Sequence, residues 1–129
     1  MRVRSILSLA LLAALSALVL ATSSPAGGGG RVVAPGTCSG AATSKLKLKP
    51  DNGRIEVEFE VDQNANGKRW RVTLKRNGHR FFRGVRTTHA PSGSFEVRRL
   101  ATNGPGSDRF VATAKNLASG QTCRATATL

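Results

Sequence analysis

The sequence predicts an all-β domain, a seven-stranded antiparallel sandwich with one disulfide, and three observations predict it. Apolar and polar residues alternate in short runs from Lys45 onward, Asn-Gly, Ser-Gly and Pro-Gly pairs punctuate those runs, and the chain's two cysteines, Cys38 and Cys123, bracket nearly all of them. No stretch of that span carries a helical period, and evenly spaced short strands divided by turn residues are the signature of a sandwich or barrel.

The elements follow in order. Arg2 and Arg4 precede an apolar run from Ile6 to Ala21, about 16 residues and the length of a secretory signal core rather than of a membrane span. Small residues suit cleavage after Ala21 or after Ala26, so residues 1–21 are read as a signal peptide; an uncleaved anchor is the alternative. No transmembrane segment is expected once the signal is removed. Residues 22–36, with Pro25 and the run Gly27 to Gly30, read as a flexible leader whose only apolar candidates for packing are Val32 and Val33. The folded domain is then 37–129, the size of a single sandwich, small enough for a disulfide to matter.

Within it, Leu46 and Leu48 alternate with Lys45, Lys47 and Lys49 until Pro50 ends the run. Ile55, Val57, Phe59 and Val61 alternate with Glu56, Glu58, Glu60 and Asp62, the pattern of a half-buried strand with its apolar face inward. Trp70, Val72 and Leu74 point inward on the next strand, against Arg69, Arg71, Thr73 and Lys75. Asn77-Gly78 signals a type I′ hairpin, since both central residues need positive φ. The return strand, 79–88, has no readable phase because Phe81 and Phe82 are adjacent. Phe95 and Val97, then Phe110, Ala112 and Ala114, then Cys123, Ala125, Ala127 and Leu129 supply the inward faces of the last three strands. Trp70, Ile55, Val57 and Phe59 are the expected heart of the core.

In an oxidising compartment, an even cysteine count favours an internal bridge between Cys38 and Cys123; an intermolecular bridge and two free thiols are the alternatives. Trp70 on the third strand, the run Trp70-x-Val72-x-Leu74, and the small inward residues of the penultimate strand make residues 38–129 resemble immunoglobulin-like and fibronectin-III-like sandwiches. The resemblance is architectural. It departs from antibody domains, because no cysteine lies on the second or sixth strand and the chain has no Tyr. It implies that part of the first strand can run parallel to the last, bringing the two cysteines together. The chain is also similar to short secreted sandwich proteins of actinomycetes, and its 14 Arg against 6 Lys fits a G+C-rich genome.

Charge is the second informative property. Without Arg2 and Arg4 the chain keeps 18 Lys and Arg against 7 Asp and Glu, a net of +11. Four of the seven acids line the outward face of the second strand, where Lys45, Lys47, Lys49 and Arg98 on neighbouring strands are expected to pair with them. The excess then falls on the other sheet: Arg71, Lys75, Arg109, Lys115 and Arg124, with Arg69, and with Arg80, Arg83 and Arg86 on the return strand. Such a face suits an anionic cell-wall polymer, an acidic polysaccharide or an anionic lipid surface. Nucleic acid ranks behind them, because no exposed aromatic row accompanies the cations to stack bases. Solubility combined with Arg-rich composition is the plainer explanation of the same residues.

Other chemistry finds little support. Asp62-Gln63-Asn64-Ala65-Asn66-Gly67 matches the first half of a calcium loop, but Thr73 stands where the bidentate Glu belongs, so an Asx-rich turn is expected instead. Only His79 and His89 could supply imidazole, too few for a metal centre, and no cofactor is expected. No G-x-S-x-G elbow occurs, and the acids of the second strand lie about 7 Å apart along one exposed face rather than converging. The expectation is a secreted, non-catalytic binding or surface-associated module. The alternative is a small-ligand carrier or an inhibitor of an extracellular enzyme, with Phe81 and Phe82 as candidates for a cleft wall.

Overall fold

A computed structural model of the chain describes residues 30–129, so the signal peptide and most of the leader lie outside the described residues. Nine strands, not seven, build two antiparallel sheets: β1 (Val32–Pro35), β2 (Thr37–Cys38), β3 (Thr43–Asp51), β4 (Arg54–Asp62), β5 (Arg69–Arg76), β6 (His79–Thr87), β7 (Ser94–Thr102), β8 (Arg109–Asn116) and β9 (Thr122–Thr128). One sheet has the order β1-β3-β4-β7 and the other β2-β9-β8-β5-β6. Among the described residues there is no helix, and hence none long and apolar enough to cross a membrane.

The two additional strands come from one extended stretch that changes sheets. Val32 and Ala34 pair with Leu48 and Leu46 of β3 and pack against the core, so the end of the expected leader belongs to the sandwich. At Gly36 the chain crosses over, and Thr37 and Cys38 pair with Arg124 and Cys123 of β9. The crossing needs glycine: a Cβ there would lie 2.0 Å from Ser44 Oγ and 2.8 Å from the Arg124 carbonyl oxygen, and the Gly36 amide donates to Ser44 O at 2.8 Å. Cys38 and Cys123 are bonded to each other, but the strands that carry them are antiparallel neighbours with the cysteines directly opposite, Cα to Cα 4.0 Å, rather than parallel ones.

The strand registers follow the hydrophobic pattern. Every inward residue of β4 is fully buried (Ile55, Val57, Phe59 and Val61), and each such side chain contributes about 1.5–3 kcal/mol of burial. Slipping this strand by one residue would drive four acids inward, which fixes its pairing. Trp70 is fully buried beside Phe95, with ring centroids 6.3 Å apart, and its indole N–H donates to Gln63 Oε1 at 2.9 Å. Bulky side chains on β3 and β4 face alanines on β8 and β9: Ala112, Ala114, Ala125 and Ala127 are all buried. Large side chains on one sheet thus meet small ones on the other, the complementarity that close packing between sheets requires.

Pro50 does not end its strand. β3 runs on to Asp51 and turns through Asn52-Gly53, whose φ values of 47° and 76° are those of a type I′ hairpin. In a two-residue hairpin of this kind Asp51 and Arg54 form the hydrogen-bonded pair, so the nitrogen of Pro50 faces away from β4. On that side β1 reaches only as far as Leu48, so no ladder bond is lost.

The return strand β6 takes its phase from a bulge opposite Leu74/Lys75: Leu74 pairs with Phe82, and Lys75 with Arg80. The bulge turns both phenylalanines toward the gap between the sheets, Phe81 edge-on to Phe110 at 6.0 Å and Phe82 toward β7. Adjacent aromatics defeat period-two reading for this reason.

Candidate functional site

The two sheets divide the charge between them. The strands of the four-stranded sheet hold six basic and six acidic residues. Those of the five-stranded sheet hold ten basic residues and no acid. The seventh acid, Asp108, is buried in the loop before β8, where its carboxylate accepts from Arg76, from the Asn77 amide at 3.0 Å and from the Gly104 N–H at 3.2 Å.

On the four-stranded sheet the balance is built from cross-strand pairs. Lys45 lies opposite Glu60 and bonds it at 3.5 Å, and Lys47 lies opposite Glu58 and bonds it at 2.8 Å. Arg98 reaches Glu56, Glu58 and Glu96 at 3.6, 3.1 and 3.1 Å. Burial pushes the Glu58 carboxyl up, but the hydrogen bond from Lys47, with further help from Glu96 and Arg98, outweighs it and brings the group below its ordinary range. Glu96 is held above that range by burial and by its hydrogen bond and charge contact with Glu58. The Glu58 bond in turn raises Lys47.

The outer face of the five-stranded sheet has no such compensation. Its register places Arg71 opposite Lys115, Thr73 in line with Thr113 and Arg124, Lys75 in line with Val111 and Thr126, and Arg109 opposite Thr128. Alternation along each strand therefore puts Arg71, Lys75, Arg109, Lys115 and Arg124 on one outer face, and all five are exposed. Rows are about 7 Å apart along the strands and neighbouring strands about 4.8 Å apart, so the charges form a continuous field. Like charges directly opposite each other, as Arg71 and Lys115 are, lower stability, and no carboxylate on this sheet offsets the cost. Two open depressions of about 330 and 230 Å³ flank the centre of the face and share Thr113 and Arg124; Arg71, Lys115 and Thr122 border the first, Lys75 and Arg109 the second.

Arg69 and Arg83 belong to the same outer face, whereas Arg80, paired with Lys75 at the bulge, lies at the sheet edge and lines a groove shared with β7. Arg86 does not. It pairs with Trp70 on the inward side, is half-buried, and its guanidinium carbon lies 5.2 Å from the centroid of the Phe82 ring. Its inward position follows from the register of β6, which the sequence could not phase.

The loop that resembles half a calcium site is used locally. Asp62 Oδ1 accepts from the Asn64 N–H at 2.9 Å, Gln63 serves Trp70 and the Asn116 amide, and Thr88 Oγ1 donates to Ala65 O while accepting from the Lys68 N–H. Gly93 packs on this loop so closely that a Cβ would meet the Ala65 nitrogen at 2.3 Å. His79 and His89 are both exposed. Among the described residues no three His, Cys, Asp or Glu side chains gather as metal ligands do. No protein-family model matches this chain, and no similar sequence was found among curated proteins.

Proposed function

We propose that the protein is a secreted, non-catalytic module that binds an extracellular polyanion through the outer face of its five-stranded sheet. One observation carries the reading: a charge-balanced sheet backs one that holds ten cations and no acid, of which only Arg86 is turned inward beside Trp70 and only Arg76 is paired, with the loop residue Asp108. A solubility role would be served by intermixed signs, whereas a one-sided field lowers stability and raises the encounter rate with polyanions. The hydroxyls of Thr73, Thr113, Thr122 and Thr126 between the cations suit a hydroxylated, phosphate- or carboxylate-bearing wall polymer. A lipid surface is less well served, since of the exposed large apolar residues Val33 and Leu100 belong to the other sheet and only Leu117 borders this face, beside Arg69. The disulfide accords with an extracellular location, and the grouping of β3, β4 and β7 opposite β6, β5, β8 and β9 supports reading the sandwich as immunoglobulin-like. Five of the seven carboxylates are committed to ion pairs rather than to a cleft, which supports binding without catalysis.

The test is retention of the mature protein on immobilised teichoic acid at increasing salt. If five cations each displace one counterion, the logarithm of affinity falls with the logarithm of salt at a slope of about −3.5, on the scale for single-stranded polyanions. Arg71→Glu with Arg109→Glu should remove retention at physiological salt and flatten that slope. The charge-matched control, Arg31→Glu with Arg54→Glu on the neutral side, should leave most of it. Equal loss from both pairs would show that net charge alone governs binding, and the face would lose its role.

A further inference from the structure

We infer a second binding site, for a small amphiphilic oxyanion, in the groove at the open flank between the edge strands β6 and β7. Each of these strands is paired on one side only, so the flank is where the sandwich could gape. It is bridged instead by a ring between two guanidinium groups: Phe82 of β6 carries Arg86 of its own strand at 5.2 Å and Arg99 of β7, from the opposite sheet, at 4.3 Å. Arg99 stands opposite Val57 in register, on the inward side of its sheet, so it reaches over the gap to Phe82 while remaining exposed to solvent.

Stacking fixes a guanidinium by its face and leaves its edge donors to be used. Arg99 spends one Nη1 hydrogen bond on the Arg98 carbonyl at 2.8 Å; among the described residues no carboxylate lies within ion-pair distance of Arg80, Arg86 or Arg99. Beside the stack lies an open groove of about 350 Å³ lined by Arg76, His79, Arg80, Phe81, Arg99 and Leu100. Ala101 and Thr102 complete the lining, so one wall is aromatic and three of the eight residues are arginines. Arg76 is anchored from behind by Asp108, which fixes its side chain along the groove wall. The volume falls at the lower end of small-molecule sites, which combine an apolar surface with a few fixed polar groups. Fixed, unpaired guanidinium edges over an aromatic wall fit a molecule with a short apolar body and one phosphate or carboxylate group. The site lies at the sandwich flank, away from Arg71, Arg109 and Arg124 on the outer face, and does not depend on that face binding anything.

The experiment titrates hexyl phosphate and hexanoate, with inorganic phosphate and hexanol as references, into the Arg71→Glu, Arg109→Glu protein, and follows backbone amide shifts. The expected result is saturable shifts confined to Arg80, Phe81 and residues 99–102, with hexyl phosphate or hexanoate binding more tightly than either reference; which of the two is tighter identifies the anion. Arg99→Gln and Arg80→Gln, both at exposed positions, should each weaken binding by about tenfold or more, the usual effect of losing a charge-assisted hydrogen bond. Arg99→Lys, which keeps the charge and loses the fork, should fall between Arg99→Gln and the parent. Inorganic phosphate binding as well as hexyl phosphate, shifts spread over the five-stranded sheet, or Arg99→Gln binding unchanged would each overturn the assignment.

Discussion

Cutting the disulfide should do two separable things. The bridge closes a loop of 85 residues' separation, for which the chain-entropy relation gives about 4.5 kcal/mol. Native disulfides in small secreted domains usually deliver about 2–5 kcal/mol, so the upper part of that range is expected here. The structure suggests the variant. Cys123 is buried among alanines and is best replaced by alanine, while Cys38, half-buried with its Sγ 3.6 Å from Ser44 Oγ, accepts serine. Guanidinium denaturation of Cys38→Ser, Cys123→Ala against the oxidised parent measures the global loss from the shift in midpoint. The second effect is local. β2 has only two residues, and besides its ladder the stretch is held by the bonds of Ser39 to Thr122 and of Gly36 to Ser44. Without the bridge, the amides of Gly36 and Ser39 should exchange with solvent well before those of β4. A global loss below about 1 kcal/mol, or Gly36 and Ser39 remaining as protected as Val57, would show that the crossing strand holds itself and that the bridge is dispensable.

Two further outcomes are open to measurement. Trp70 emission should be blue-shifted and poorly quenched by iodide, and Trp70→Ala should cost about 3–5 kcal/mol by denaturation, because a fully buried indole that also bonds Gln63 is removed. Glu96, held above its ordinary range, loses stability for the protein as pH rises through its folded-state value, whereas Glu58, held below, loses it as pH falls through its own. Glu96→Gln should therefore gain stability relative to the parent between about pH 4 and pH 7, by less than about 1 kcal/mol since the group is partly exposed; a urea midpoint difference that does not change over that interval would refute the coupling.

What could be read from the sequence was whatever alternation alone decides. Ile55 to Asp62 named its own buried face, and the lysines of β3 had to meet the glutamates of β4 because both runs share that parity. Asn77-Gly78 announced its turn through the positive φ that few other residues accept. Illegible were the features that depend on partners far along the chain. Val32 and Ala34 are two apolar positions between glycines and a proline, too short a signal to outweigh the composition around them, and only the presence of Leu46 and Leu48 across the ladder makes them a strand. The switch of sheets at Gly36 is a matter of distance to Ser44 and Arg124, neither of which is near in sequence. In β6 the bulge decides which of Arg80, Arg83 and Arg86 faces outward, and a bulge is set by where two aromatics can fit against Phe110 and Arg99, not by local pattern. The outer basic face was accessible through parity, while the flank stack was not.

The division of charge between the sheets gives the molecule an electric dipole across its thickness. Packed sheets are about 10 Å apart, and at physiological salt a charge is screened over about 8 Å. The neutral sheet is thus about one screening length behind the cationic one, and an approaching polyanion experiences a torque as well as an attraction. Encounter complexes that begin edge-on or back-first rotate until the five-stranded sheet faces the charge. In the binding mode proposed above, the Lys47–Glu58–Arg98 network then points outward, leaving a second, charge-balanced surface presented in a fixed direction.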